Sequence, residues 1–167
     1  MHNELTEKDI RLMQEELDHR RIHLRPQLLE AVKEARAFGD LSENFEYKAA
    51  KQEKNRNESR IRFLENMIKT AVVIRDTSGE GKVGLYDKVT VYLEEDEETE
   101  VFQIVTTVRQ DVLNGRISKE SPMGKALLGC RVGDKLQVQV SDSYTCAVEV
   151  RAIEKGQDDG SAPLNRY

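Results

Sequence analysis

The stretch GDLSENFEY, residues 39–47, decides how this chain folds. It lies where one long charged helical pattern stops and a second begins. Gly39 supplies a helix stop, and either Asp40 or Ser42 can cap the helix that follows. The stretch therefore places Asp40, Leu41, Ser42 and Glu43 at a tight reversal, with Glu46 one turn further on. A helical hairpin ending in carboxylates carries acid groups far from its own core. That arrangement suits a protein that reaches into the active site of another.

Upstream of the reversal, Thr6 and Asp9 stand in capping-box spacing and mark the start of the first helix. Ile10, Met13, Leu17, Leu24, Leu28 and Ala35 then recur at threes, fours and sevens, a single apolar seam with charges elsewhere. Pro26 lacks an N–H and crowds the preceding turn, so a kink or a short break is expected there. Downstream, Tyr47, Ala50, Lys54, Asn57, Ile61, Leu64 and Ile68 follow heptad spacing. This seam is apolar at the base and more polar toward the tip. A short connection between two long helices makes them antiparallel. About 30 residues at ~1.5 Å each give an arm of roughly 45 Å. Periodicity alone also admits a coiled coil that merely dimerises.

After Thr70 the pattern changes. Val72, Val73 and Ile74 form a short apolar strand signal, and residues 76–84 (DTSGEGKVG) read as a Gly-rich linker or turn. Residues 88–93 and 101–108 are β-branched runs on either side of EEDEETE, which reads as an antiparallel hairpin. Its acidic run, Glu94 to Glu98, is the solvated turn rather than a metal site. Ser121 caps a short helix with Pro122 in its first turn, Ala126, Leu127 and Leu128 supply the apolar face, and Gly129 ends it. Residues 136–140 and 145–150 make a further strand pair. The fold class is α+β: an N-terminal antiparallel coiled-coil hairpin over 1–75, then a small antiparallel sheet packed on one helix over 76–155. Residues 156–167 have little to bury and are expected to form a disordered tail.

Charged residues make up 34% of the 167 and hydrophobic ones 38%, which suits an exposed hairpin with little interior. Lys and Arg exceed Asp and Glu by one over residues 1–75, whereas acids exceed bases by six over 76–167. That acidic remainder argues against strong binding of free duplex DNA. No apolar run approaches the ~18 residues that a membrane span needs, and the start MHNELTEKD lacks the features of a signal peptide. Cys130 and Cys146 stand apart and read as reduced thiols of a cytoplasmic protein. His19 and His23 have i,i+4 spacing but no third ligand, and read as surface residues.

The run GDLSENFEYKAAK resembles the tip motif of the bacterial Gre transcript-cleavage factors, the GreA/GreB family. GRISKESPMGKALLG followed by VGD, residues 115–134, resembles that family's C-terminal signature. The two motifs come in the family's order, and the resemblance spans residues 6–153. It implies a transcription elongation factor whose hairpin enters the secondary channel of RNA polymerase. Tip carboxylates would complete the coordination of a catalytic Mg²⁺, so that the polymerase itself hydrolyses backtracked RNA. By position those carboxylates are Asp40 and Glu43, sharing the ion only within the polymerase complex. Mg²⁺ usually takes one or two carboxylates beside waters and phosphate oxygens, which fits such a pair.

Other roles follow from the same resemblance. Ser42 would orient a water or cap the helix. Glu46 and Tyr47 match an EY pair near the tip, with Glu46 assisting and Tyr47 packing on RNA or protein. Arg36 and Lys51 align with basic positions that contact the displaced RNA 3′ end. Residues 48–62 hold Lys48, Lys51, Lys54, Arg56, Arg60 and Arg62 against Glu53 and Glu58, a patch that also reads as a solvated helix face with pairs such as Glu58–Arg62. Ser121 and Pro122 fall in the segment by which the family docks on the polymerase near the channel entrance. No independent enzymatic activity is implied, and a monomer is the form that suits a narrow channel.

Acids and a hydroxyl at a helix start are also what capping and the macrodipole favour. Two other readings stand beside the cleavage role: a paralogue that occupies the channel and inhibits, and a free coiled-coil adaptor. The chain departs from the family's pattern at 76–87 and at TTVRQDVLN, residues 106–114.

Overall fold

Helix α1 (Glu7–His19) begins where Thr6 and Asp9 exchange hydrogen bonds. The Asp9 N–H donates to Thr6 Oγ1 at 3.2 Å, and the Thr6 N–H donates to Asp9 Oδ2 at 2.9 Å. The capping box expected from the sequence is therefore formed, with Asp in place of the commoner Glu. The computed structural model describes residues 3–39 and 44–166. They divide into two units, one of residues 3–9 with 72–166 and one of residues 10–71.

The unit of residues 10–71 is helical. After α1 comes a π turn (Arg20–Leu24), then α2 (Arg25–Arg36) and α3 (Phe45–Thr70). The break expected at Pro26 takes the form of that π turn. The Arg25 N–H reaches the carbonyl of Arg20, five residues back, and Pro26 sits in the first turn of α2. A wider turn gives the proline ring room and absorbs its missing N–H, so helical backbone carries through.

Helix α2 packs against α3. The seam read from the sequence faces inward: Met13, Leu17, Ala35, Asn57, Ile61 and Leu64 are buried. Midway along, the seam becomes polar. Arg60 is buried and donates twice to Glu16, at 2.9 and 3.1 Å. Arg20 donates to Glu16 at 2.8 Å and to Asn57 Oδ1 at 2.9 Å. Arg25 grips Glu58 with two hydrogen bonds of 2.7 and 2.9 Å. Such polar layers favour one register over its neighbours.

Two expectations about the reversal change. Helix α2 ends at Arg36, and Gly39, at φ 122°, lies three residues beyond that end. The cap of α3 is Asn44, not Asp40 or Ser42: its Oδ1 accepts from the Tyr47 N–H at 3.0 Å. Asp40, Leu41, Ser42 and Glu43 lie outside the described residues.

The other unit holds two sheets. A small one pairs β1 (Glu4–Leu5) in parallel with β2 (Val72–Val73), so the chain's first strand belongs with the sheet-bearing unit. The larger sheet has the order β5-β4-β3-β7-β6, built from β3 (Lys88–Leu93), β4 (Glu98–Val105), β5 (Arg116–Ser118), β6 (Lys135–Ser141) and β7 (Tyr144–Glu154). Its pairs are antiparallel except β4 with β5. Strand β4 starts three residues before the expected run, and residues 107–109 leave it as a 3₁₀ turn. The acidic run forms the β3–β4 turn, as expected. Helix α4 (Pro122–Leu127) packs on β5 and β6. Val89, Val91, Ile104, Leu127, Val138, Val148 and Val150 make the core.

Residues 156–166, expected to have little to bury, are held along this unit. Ala162 is buried. The Asn165 N–H donates to the Val108 carbonyl and its Nδ2 to the Thr107 carbonyl, both at 2.8 Å. Polar and backbone groups, rather than an apolar stripe, fasten this segment.

Candidate functional site

At the end of the hairpin, one side chain ties the two helices together. Asn44 Nδ2 donates to the carbonyl of Ala35 at 2.7 Å, while its Oδ1 caps α3. The Ala35 carbonyl, which also accepts from the Phe38 N–H at 3.3 Å, and an orphan amide of α3 thus share one side-chain amide. Asn44 was not singled out from the sequence. Its signal was weak, because Asp40 and Ser42 are equally good caps lying earlier in the same run.

Three residues expected to contact RNA or support the tip are brought together beside that clamp. Arg36 Nη2 donates to the Tyr47 hydroxyl at 3.3 Å, and the guanidinium lies 5.4 Å from the ring centroid. Lys51 Nζ lies 6.0 Å from the same centroid. The Arg36 hydrogen bond, supported by the Lys51 charge, draws the Tyr47 phenol below its ordinary pKa. Lys48 Nζ stands 5.7 Å from the Phe45 ring. Glu46 is exposed in the first turn of α3. Ser42, Asp40 and Glu43 lie outside the described residues.

The basic patch over 48–62 narrows once partners are assigned. Arg60 is buried against Glu16, and Arg56 donates to Glu53 at 2.8 Å. The expected Glu58–Arg62 pair is not formed: Glu58 is taken by Arg25, and Arg62 donates to Ser59 at 3.1 Å. The reason is reach across the hairpin, where Arg25 presents two of its guanidinium nitrogens, Nε and Nη2, to one carboxylate. Burial alone would raise the Glu16 carboxyl, but hydrogen bonds from Arg60 and Arg20 outweigh it and hold Glu16 below the usual carboxylate range. Near the tip, Arg36, Lys48 and Lys51 each stand beside an aromatic ring.

The predicted docking pair lies at the start of α4. Ser121 Oγ accepts from the Gly124 N–H at 3.1 Å and donates to the Ser118 carbonyl at 2.6 Å. Pro122 follows, exposed. The Ser118 carbonyl comes so close to α4 that a Cβ on Gly124 would sit 2.0 Å from it. Thr107, from the divergent 106–114 segment, hydrogen-bonds Ser118 Oγ at 2.6 Å and Glu120 at 2.8 Å. That segment thus buttresses the turn that leads into α4.

Next to Thr107, Arg109 is fully buried and fully engaged. It donates to Asp9 at 2.9 Å, to both oxygens of Asp158 at 2.6 Å, and to the Ala162 carbonyl at 2.8 Å. Burial opposes the guanidinium charge, but Asp158 and Asp9 outweigh it and raise the Arg109 pKa. The capping-box Asp9 therefore has a second partner 100 residues away, which spacing alone does not reveal.

His19 and His23 have ring centroids 5.7 Å apart and exposed side chains. Among the described residues, no three His, Cys, Asp or Glu side chains group as metal ligands, and no helix is long and apolar enough to cross a membrane. Cys130 and Cys146 are free thiols whose pKa burial pushes up.

Comparison with known proteins places these features. The family described as "Transcription elongation factor, N-terminal" matches residues 3–73, and "Transcription elongation factor, GreA/GreB, C-term" matches residues 77–155. The transcription elongation factor GreA of Staphylococcus saprophyticus is 38% identical over 150 residues, covering 90% of this chain and 95% of that protein. GreA of Oenococcus oeni is 38% identical over 155 residues, covering 92% and 95%. Among solved structures, GreA factor homolog 1 of Thermus thermophilus matches with 32% identity and a TM-score of 0.42, covering 91% of this chain and 98% of that one.

Proposed function

This chain belongs to the GreA/GreB family of transcription elongation factors, and on that footing we propose that it stimulates transcript cleavage by RNA polymerase. In this reading the hairpin enters the polymerase's secondary channel, and the polymerase's own active site hydrolyses backtracked RNA, rescuing arrested complexes. The protein acts as a monomer and has no nuclease activity of its own.

The observation that carries this reading is the cap of α3. Because Asn44 accepts from the Tyr47 N–H, Asp40, Ser42 and Glu43 precede the cap and are not needed to start the helix. Capping is therefore not what calls for Asp40 and Glu43, and the field at the start of α3 is the structural factor that still favours acids there. Asp40 and Glu43 offer hard oxygen donors in the number Mg²⁺ usually takes from protein. When bound jointly with the polymerase, Mg²⁺ would activate the attacking water and stabilise the leaving oxygen. The N-terminal field of α3 disfavours a cation, so the pair holds the ion only where the polymerase supplies further ligands.

The remaining residues position the RNA and the factor. Arg36 and Lys51, gathered on Tyr47, offer positive charge to the phosphates of the displaced 3′ end, and this contact weakens as salt rises. Glu46 assists from the first turn, and Ser42 orients a water. Ser121 and Pro122 dock the sheet-bearing unit on the polymerase near the channel entrance, with Thr107 and Ser118 holding their turn.

The test uses a stalled, backtracked elongation complex of the cognate polymerase with 3′-labelled RNA. Wild type should release 3′ fragments, and Asp40→Ala/Glu43→Ala should not. If both proteins slow elongation and neither stimulates cleavage, the factor is an inhibitory occupant of the channel.

A further inference from the structure

Phe38 and Phe45 stand at the two ends of the 39–44 connection, and both are unusually bare. Phe38 is 76% exposed and Phe45 79%. The chain has only four Phe, so half of them present rings to water at the one place where the hairpin's helices meet the tip. Neither ring contributes to a core. Asn44 holds the ends of α2 and α3 together, so both rings belong to one end of the hairpin.

The chemistry around them points to a nucleic-acid ligand. Lys48 Nζ lies 5.7 Å from the Phe45 centroid, and Arg36 and Lys51 flank the neighbouring Tyr47 ring. Aromatic rings interleaved with cations are how proteins hold single strands without reading sequence, because every base offers a π-face. Tip carboxylates repel RNA phosphates, so they cannot grip the strand they act on. Uncharged stacking can hold a base near acids without neutralising them. A transcript can end in any base, and stacking accepts all four.

We propose that Phe38 and Phe45 form a stacking platform for the nucleobases of the displaced single-stranded RNA 3′ segment. The inference rests on the proposed function in that the tip must meet that RNA. It adds the base-holding element that acids and cations lack.

The experiment uses the full-length protein with a backtracked complex whose RNA carries 5-iodouridine at the displaced 3′ terminus. Irradiation, followed by peptide mapping, reads ring contact; cleavage is measured separately. The variants are Phe38→Leu, Phe45→Leu and the ring-preserving Phe38→Trp and Phe45→Trp. The rings are exposed, so each variant should fold, which helix content verifies. The expected adduct maps to Phe38 or Phe45, persists where that ring is replaced by Trp and is lost where it is replaced by Leu. Leu variants should also need about tenfold more protein for half-maximal cleavage. That difference should vanish on RNA with an abasic 3′ residue.

An adduct that avoids both rings while wild type cleaves overturns the stacking platform alone. Equal loss of affinity for RNA-free polymerase in the Leu variants overturns it too, because the rings then seat in a protein pocket. An adduct on the rings without any cleavage upholds the platform and overturns the cleavage role.

Discussion

Asn44 donates its side-chain amide to the carbonyl of Ala35 across 2.7 Å, joining the last turn of α2 to the residue that caps α3. The hairpin's end is therefore closed by a side chain as well as by the connection itself. Replacing Asn44 with Ala removes cap and crosslink together and should cost about 1–2 kcal/mol. Asn44→Asp keeps an acceptor for the Tyr47 N–H but loses the donor to Ala35, so it should fall between wild type and Ala. Urea unfolding measures the order, and equal stability of all three proteins would contradict the clamp.

Arg60 and Arg56 sit four residues apart on α3 with different duties. Arg60 is buried against Glu16, whereas Arg56 pairs with Glu53 in the open. Arg60→Ala leaves a half-buried carboxylate short of a partner and should destabilise by about 2–3 kcal/mol. Arg56→Ala should change stability by less than about 0.5 kcal/mol. Denaturant midpoints of the two variants separate these cases.

The Arg109 cluster gives a prediction for the C-terminal segment. Asp158 faces a guanidinium with no exposure to water. Asp158→Ala leaves that charge with Asp9 alone, and the expected loss is about 3 kcal/mol. Cutting the chain after residue 157 should cost at least as much and speed amide exchange at residues 107–110. A truncated protein as stable as wild type would contradict the fastening.

Glu16 and Asp158 also contribute to the acid limit. Burial opposes ionisation of both, but Arg60 and Arg20 around Glu16, and Arg109 and the Gly160 N–H around Asp158, hold their pKa values below the usual range. The unfolded chain then takes up protons at a higher pH than the folded one. The stabilisation is complete above the ordinary carboxylate pKa of about 4 and is lost as pH falls through the lower folded values. The melting temperature should therefore decline below about pH 4. Glu16→Gln should show a shallower decline, and identical acid limbs would contradict this assignment.

The hairpin was legible in the sequence because its seam repeats with a period that only a helix satisfies. Every seam residue from Ile10 to Ile68 is buried or partly buried. The Thr6–Asp9 box was equally plain, being local. Caps without a unique signature were not: Asn44 had Asp40 and Ser42 as rivals, and only its bond to Ala35 distinguishes it. Strand β5 has three residues and too short an alternation to read. The fastening of residues 156–166 escaped because a buried guanidinium gathers Asp9, Asp158 and a carbonyl from distant positions, leaving no periodic trace.

On the proposed function, Asp40 and Glu43 complete a metal site only inside the polymerase. This is tested most directly by the Mg²⁺ dependence of cleavage in a backtracked complex, with wild type or Asp40→Asn/Glu43→Gln added. Wild type should lower the Mg²⁺ concentration for half-maximal cleavage, while the double variant should leave it at the value of polymerase alone yet still compete for the channel. Cleavage accelerated by wild type with no change in that concentration would rule out a metal-completing role for the two acids.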